Sequence, residues 1–319
     1  MLILKLMGTL GEGTVAIPHE SWWDLGQGLP AVRCAVVHPC EAGALAGALE
    51  AGEAGLIVPV LVGPEDRIRE VAEKAGIDLH GVELVPAPFS HAAAEIAVSL
   101  ATSGQVEALM KGSLHTDELM HAAVSSRDFR TKRRLSHIFR FDVPRYDKPL
   151  LITDAALNIR PTLADKVDII QNAILLAQIL GVAKPKVAIL SAVETVNPDI
   201  PSTVDAAALC KMSDRGQITD ALLDGPLAFD SAISREAANI KQIHSPISGE
   251  ADILVVPDLE SGNMLAKQLE YLGGASLAGI VTGAAVPIIL TSRADSAKTR
   301  MTSAAVASLM HAGEELIEA

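Results

Sequence analysis

PLLITDAALNIRPTLADKVDIIQNAILLAQILGVAKPKVAILS, residues 149–191, changes its apolar rhythm twice. It opens with the short run Pro149–Thr153, which reads as a strand and stops at Asp154. Thr162 then stands three residues before Asp165, the spacing at which two side chains satisfy each other's orphan amides at a helix start. From there Leu163, Val167, Ile170, Ile174 and Ala177 recur at steps of four and three, which is one helix face. Gly181 supplies the stop, since it takes the left-handed conformation without steric cost. Lys186–Leu190 is a second strand and ends at Ser191. Strands of continuous apolar character, separated by a helix, belong to a mostly parallel sheet covered by helices on both faces.

The same rhythm extends in both directions. Upstream, Ala31–His38 and Ile57–Gly63 are β-branched runs bounded by Pro or Gly, with the helical composition of Glu41–Glu53 between them. Pro64–Gly76 and Ser90–Ser103 read as helices, and Val106–Met110 as a strand leading to Lys111-Gly112. Downstream, Ile253–Val256 ends at Pro257-Asp258, Ala278–Val281 at Thr282-Gly283, and Val286–Leu290 at Thr291-Ser292. Residues 1–30, rich in Gly and holding Trp22 and Trp23, show no period and read as an irregular arm. A chain of 319 residues exceeds what one core usually serves, so two domains are expected. The expected division is 1–147 with 291–319 for the first and 148–290 for the second, with hinges near Pro144–Pro149 and Leu290–Ser292.

Composition narrows the function. Aromatic residues make up only 3%, so the core must be aliphatic, which favours α/β layers over an aromatic-rich sandwich. A formal charge of −13 excludes a nucleic-acid coat, which needs a basic face. The three cysteines, Cys34, Cys40 and Cys210, form no paired framework and no metal spacing, as expected of a reducing cytosol. No signal peptide is expected, because the start lacks a small-residue cleavage site. The stretch Leu277–Leu290 is broken by glycines and Thr282 and is too short to span a bilayer. The expected location is the cytoplasm.

Strand after strand ends in a small polar or acidic residue: Asp154, Ser191, Asp258 and Ser292. In open α/β sheets ligands bind outside those ends, although each residue alone also fits a helix cap. Nucleotide-binding and hydrolase motifs are absent, with no G-x-x-x-x-G-K-[ST] and no G-x-S-x-G. His115 and His121 are six apart and share no helix face, and Cys210 lies in an Ala/Leu/Lys/Met helix, so neither metal nor covalent chemistry is indicated. What the chain offers is cations, hydroxyls and amides for positioning anions. In LTSRADSAKTR, residues 290–300, a strand end meets the start of the helical segment Ala297–Met310. Amides at that start favour an anion, and Arg293 can grip phosphate oxygens bidentately. The plainer alternative is that Asp295 caps the helix and pairs with Arg293 on the surface. RDFRTKRRLSHIFRF, residues 127–141, is a dense basic stretch, either a solvated helix face or a collector of anions, with Arg133 the preferred contact.

MKGSLHTDEL (110–119), ITDAALNIRPT (152–162), VAILSAVE (187–194), DGPLAFDSA (224–232), ADILVVPDLESGNMLAK (251–267), LGGASLAGIVTG (272–283) and PIILTSRADS (287–296) together resemble the phosphate acetyl/butyryltransferase family over residues 31–319. The resemblance is nearest to the phosphate butyryltransferases and to the transferase part of bifunctional enoyl-CoA hydratase/phosphate acetyltransferases. It implies a two-domain, three-layer αβα fold like isocitrate and isopropylmalate dehydrogenases, with the active site in the interdomain cleft. It implies reversible transfer of a short acyl group, acetyl or butyryl, between coenzyme A and inorganic phosphate, by direct attack in a ternary complex. The residues it brings forward as catalytic are Ser292, Arg293 and Asp295; as substrate-binding, Lys111, Gly112, Asp154, Asn158, Asp258, Ser261, Gly262, Asn263 and Lys267, to which the basic stretch adds Arg133. The acetyl branch carries a catalytic aspartate seven residues after the serine; Thr299 stands there, leaving Asp295 as the nearest substitute. No metal and no tightly bound cofactor are implied: coenzyme A is a substrate, neither nucleic acid nor membrane is a partner, and a homodimer or higher homo-oligomer is expected. Two other readings compete. One is a non-catalytic acyl-CoA-sensing module of the same fold. The other is a metal-dependent decarboxylating dehydrogenase using Asp154, Asp224, Asp230 and Asp258, for which no nucleotide site is evident.

Overall fold

A computed structural model of the chain describes residues 28–292 and 295–318, with side chains as far as 313. The irregular arm and Arg293 therefore lie outside the described residues. The chain divides into two compact units, one of residues 28–135 with 278–318 and one of residues 136–277.

The first unit begins β1 (Val32–Val37), α1 (Ala42–Glu53), β2 (Ile57–Gly63), α2 (Glu65–Ala75), β3 (Glu83–Pro86), α3 (Ser90–Thr102), β4 (Ala108–Lys111) and α4 (Thr116–Ser125). The second unit contains β5 (Ser136–Asp142), β6 (Leu150–Thr153), α5 (Leu163–Ile179), β7 (Lys186–Leu190), α6 (Pro201–Asp214), β8 (Leu222–Leu227), α7 (Phe229–Ile233), α8 (Arg235–Ile240), β9 (Ile253–Val255) and α9 (Leu259–Tyr271). The chain closes with β10 (Ser276–Thr282), β11 (Ile288–Ile289) and α10 (Ala297–Glu318).

Within the first unit the strand order is β3-β2-β1-β4-β11-β10. All its pairings are parallel except β10 with β11, which is antiparallel. Within the second unit the order is β5-β6-β9-β7-β8, parallel apart from the antiparallel β5–β6 pair. The continuous apolar runs are explained by burial: Ala35, Val36 and Val37 of β1, and Val187 and Ala188 of β7, are fully shielded. Residues of both strand faces can be this apolar only where helices cover both faces.

The boundaries differ from those expected. Residues 136–147 lie with the second unit because β5 pairs with β6, Ile138 against Thr153 and Phe141 against Leu150. The proline-marked segment expected to be a hinge is tied into the same unit. Tyr146 donates its hydroxyl to the Ala251 carbonyl at 2.7 Å, and Lys148 pairs with Asp252 at 2.6 Å. Residues 278–290 lie with the first unit because β11 pairs with β4, Ile288 against Leu109.

Helix α5 is built as the capping spacing demands, with Thr162 and Asp165 bonded reciprocally and Gly181 at φ +91° beyond its end. Its buried face is wider than the apolar series. Lys166 and Asn172 are buried on it, the first paired with Asp205 of α6 at 2.7 Å and the second donating to Ser136 of β5 at 2.8 Å. Polar groups are tolerated there because each has a partner. The basic stretch is not a helix. Arg130 bridges Ala284 in antiparallel fashion, and residues 136–142 form β5, where Arg140 is buried and forks onto Asp142.

Candidate functional site

Because β4 and β11 run parallel, both deliver their following residues to the same edge of the first unit. β4 ends in Lys111, followed by Gly112; β11 is followed by Thr291 and Ser292. These four, with Glu41, Gly43 and Ala44 at the start of α1 and Arg300 of α10, line a cavity of about 120 Å³. Lys111 is 8% exposed, and its ammonium donates to the carbonyls of Gly112 and Leu114, each at 3.3 Å. Gly112 sits so close to the end of β1 that a Cβ there would stand 2.4 Å from the Val37 oxygen. Its amide donates to that same oxygen at 2.9 Å. Only glycine allows this join.

Beside the join, Ser113 Oγ donates to the His38 carbonyl at 2.7 Å and accepts from the Cys40 amide at 3.1 Å. Burial of His38, reinforced by the charge of Arg67, holds its imidazole below the usual histidine range, so it is neutral at neutral pH. Burial likewise pushes the Cys40 thiol up, which makes it a poor nucleophile.

Ser292 and Asp295 fold onto one another. The Ser292 amide donates to Asp295 Oδ2 at 2.6 Å, and the Asp295 amide donates to the Ser292 carbonyl at 3.2 Å. The cap of α10 is Ser296, whose Oγ accepts from the Thr299 amide at 3.1 Å. The expectation that Asp295 caps the helix is corrected, since another residue does so; Asp295 is 7% exposed, and its expected pairing with Arg293 lies outside the described residues. Thr299 is buried with its hydroxyl against Ser296 Oγ at 3.1 Å. Arg300 lies in the next position, and its stem crosses α1 at Gly47, where a Cβ would come within 2.5 Å of its Cδ. Arg300 and Glu41 were not among the expected site residues. The signal for Arg300 was at hand, one turn beyond Ser296 in LTSRADSAKTR; nothing local marked Glu41.

In the second unit β6 and β9 are parallel neighbours, and the residues after them meet. Asp154 is buried and accepts through both oxygens: Oδ1 from the amides of Ala156 and Leu157 at 3.0 and 2.9 Å, Oδ2 from the His137 amide at 3.1 Å and from Asn158 Nδ2 at 2.6 Å. Asn263 donates to the Ala155 carbonyl at 3.2 Å, and a Cβ on Gly262 would stand 2.6 Å from Val256 Cγ2. Asp258 is the cap of α9, accepting from the amide and the hydroxyl of Ser261, both at 2.8 Å. That amide, more than the nearby charges of Arg160 and Lys166, holds its carboxyl below the usual range. Lys267 pairs with Glu270 at 2.9 Å and lies 5.5 Å from the centre of the Tyr271 ring.

The expected residues thus fall into separate sets. Lys111, Gly112 and Ser292 share the cavity, and Asp295 braces Ser292. Asp154, Asn158, Gly262 and Asn263 hold one loop to one helix start, with Asp258 and Ser261 capping that helix. Arg133 is half-buried and is not among the residues lining the cavity. Among the described residues, no group of three or more His, Cys, Asp or Glu is placed to hold a metal ion, and no helix is long and apolar enough to cross a membrane.

A mostly parallel sheet whose carboxyl edge gathers a buried lysine, a serine and an arginine around a small cavity defines an α/β protein that handles anionic ligands. Residues 89–308 match the family described as phosphate acetyl/butaryl transferase, and the chain belongs to that family of acyltransferases. It is 60% identical over 281 residues to a phosphate acetyltransferase of Rhizobium meliloti, covering 88% of this chain and 89% of the relative. It is 41% identical over 262 residues to a phosphate butyryltransferase of Clostridium acetobutylicum, covering 82% and 87%. A solved branched-chain phosphotransacylase from Enterococcus faecalis V583 superposes with a TM-score of 0.77 at 33% identity, covering 88% of this chain and 99% of that one.

Proposed function

We propose that this enzyme moves a short acyl group between coenzyme A and inorganic phosphate, with acetyl as the preferred group. The greater identity to the acetyltransferase than to the butyryltransferase, 60% against 41%, supports acetyl. The observation that carries the reading is the edge cavity, lined by Lys111, by Arg300 and by Ser292, the serine of the family's Ser-Arg motif. No observation favours a regulatory acyl-CoA sensor.

In the forward step a phosphate oxygen attacks the thioester carbonyl, the carbon–sulfur bond breaks, and coenzyme A leaves as thiolate. Arg293 holds phosphate and offsets the charge that develops, which is the largest contribution to expect in such a site. Ser292 Oγ donates to the leaving sulfur or to the carbonyl oxygen. Asp295 has one oxygen committed to the Ser292 amide, which supports an orienting role over proton exchange with the thiol. A threonine hydroxyl cannot stand in for the base that the acetyl branch carries at the position of Thr299.

Lys267 contacts the coenzyme phosphates, exchanging its bond to Glu270 for them. Lys267→Ala is expected to raise KM for acyl-CoA more than it lowers kcat, because such a contact serves ground and transition states alike. Asp154, Asn158, Asp258, Ser261, Gly262 and Asn263 act on coenzyme binding by holding the loop after β6 and the start of α9 in shape. Arg133, with Arg130 and Arg134, supplies a local positive field. The enzyme works in the cytoplasm as a homodimer and needs no tightly bound cofactor. Thiol release from acetyl-, propionyl- and butyryl-CoA in the presence of phosphate tests the proposal, with acyl phosphate measured in parallel. Purified protein that forms no acyl phosphate from any of them would sink it.

A further inference from the structure

We propose that His38 and Ser113 are positioning residues of the acyltransferase, a latch that ties the turn after β1 to the turn after β4 and so sets where the Lys111 ammonium stands. The proposal rests on the acyltransferase reading and adds to it a pair of side chains that are not among those lining the cavity.

Backbone strain marks the place. His38 has φ +55°, in the left-handed region that residues other than glycine adopt only rarely. Nothing local asks for it: β1 is extended up to Val37, and Pro39 biases the residue before it toward extended backbone. Such a conformation persists only where the surroundings over-determine it. Here they do. The His38 amide donates to the Val62 carbonyl at the end of β2 at 2.7 Å. Its own carbonyl accepts from the amides of Cys40 and Ser113 at 2.8 and 3.0 Å, and from Ser113 Oγ at 2.7 Å.

The side chains close the same join. A serine hydroxyl has one proton and two lone pairs. The Ser113 proton goes to the His38 carbonyl, and one lone pair takes the Cys40 amide at 3.1 Å. Nδ1 of His38 stands 3.3 Å from the same oxygen, so Nδ1 carries the imidazole proton and fills the second lone pair. His38 is 9% exposed and Ser113 8%. A buried polar network whose central group is fully satisfied holds its members in one arrangement.

What this one holds is the lysine. The Lys111 ammonium donates to the carbonyls of Gly112 and Leu114, the residues on either side of Ser113 in the chain. In the other direction, the Cys40 amide that Ser113 accepts immediately precedes Glu41, from which the start of α1 lines the cavity. One hydroxyl therefore registers two walls of the cavity against each other. A group displaced by about 1 Å can lose about a hundredfold in rate, even when the change that moved it lies elsewhere.

The experiment compares wild-type enzyme with His38→Gly, His38→Asn and Ser113→Ala. The readouts are kcat/KM in the thiol-release assay, Tm, and the rate at which acetic anhydride labels Lys111, followed by peptide mass spectrometry. Lys166, comparably buried in the second unit and paired with Asp205, is the internal control. Glycine permits the left-handed turn but removes the imidazole. His38→Gly should lower kcat/KM by about ten- to a hundredfold and speed labelling of Lys111 by about tenfold, with Lys166 unchanged. Asparagine also tolerates the left-handed backbone and brings an N–H donor, so His38→Asn should recover most of the rate and of the protection. Ser113→Ala should lose at least as much as His38→Gly, because it removes the central hydroxyl. A His38→Gly enzyme with wild-type rate overturns the latch, as does a loss of rate with Lys111 still protected. Failure of asparagine to improve on glycine overturns it too, since the imidazole donor would then have no role. A rise in Lys166 labelling to match Lys111, with a lowered Tm, would mean general loosening and equally sink the proposal. If wild-type protein forms no acyl phosphate, yet His38→Gly exposes Lys111 and asparagine protects it, the latch stands and the acyltransferase reading falls.

Discussion

Arg293 is the residue on which the proposed chemistry leans most. Arg293→Ala should lower kcat/KM by about 3 kcal/mol of transition-state stabilisation, the scale seen when one preorganised donor is removed. Arg293→Lys should not restore it, because a point charge lacks the two-pronged geometry. A lysine variant that keeps most of the rate in the thiol-release assay would show that the guanidinium is not needed. Asp258 gives a prediction of a different kind. Its carboxyl is held below the ordinary range chiefly by the Ser261 amide, so its stabilising contribution is complete above the unfolded aspartate range and disappears as pH falls through the folded value. Asp258→Ala should cost about 1 kcal/mol near neutrality, as for a lost helix cap. The gap in Tm between variant and wild type should close as the solution is acidified below the carboxylate range. A gap independent of pH would mean that the ionised cap contributes nothing.

Between elements, glycines decide how close two pieces of backbone come. Gly112 joins the end of β4 to the end of β1, where an added Cβ would meet two carbonyl oxygens, Val37 at 2.4 Å and His38 at 2.7 Å. Gly262 joins α9 to the loop after β6, where the nearest atom is a valine methyl at 2.6 Å, with Ala155 at 3.1 Å. A methyl can swing aside, but strand backbone cannot move without dragging a ladder. Gly262→Ala should therefore cost about 1–3 kcal/mol, the range for overpacking, and Gly112→Ala more. Thermal unfolding of the two variants checks the order; equal losses would refute the distinction. Gly112→Ala should also depress activity beyond its effect on stability, since Lys111 and the cavity wall are positioned by the same join.

For the molecule as a whole, a formal charge of −13 opposes the approach of two anionic substrates. Arg130 and Arg134 are exposed and Arg133 half-exposed in the first unit, tied there by Thr131, which donates to the Gly283 carbonyl at 2.8 Å. Neutralising all three should lower kcat/KM and flatten its dependence on ionic strength, because exposed steering charges are screened by salt. Rates of the triple variant measured across a salt series that match wild type would show these arginines to be idle.

How much of this was legible without coordinates follows from the range of each signal. Residues 149–191 announced strand, helix and strand because a capping pair, a helical period and a terminal glycine act within a turn or two of chain. The continuous apolar strands announced a sheet covered on both faces, since only double burial permits them. Ser292 and Asp295 were legible as neighbours for the same reason of range, and the family motifs marked Lys111 and Gly112. What local signals could not carry was partnership over long separations. β5 was hidden in a basic stretch because Arg140 is neutralised by Asp142 inside the core, so its charge gave the wrong sign of exposure. The unit boundaries were set by which strand each edge pairs with, β5 with β6 and β11 with β4, rather than by the prolines at 144 and 149. Glu41, Lys111, Ser292 and Arg300 meet only because β4 and β11 run parallel and Gly47 lets α10's arginine lie on α1. Sequence by itself determined the elements that carry a clear local period, the layers and the chemistry available. Tertiary structure decided which side chains share a cavity, because hydrogen-bond ladders and close backbone contacts act between residues that are distant along the chain.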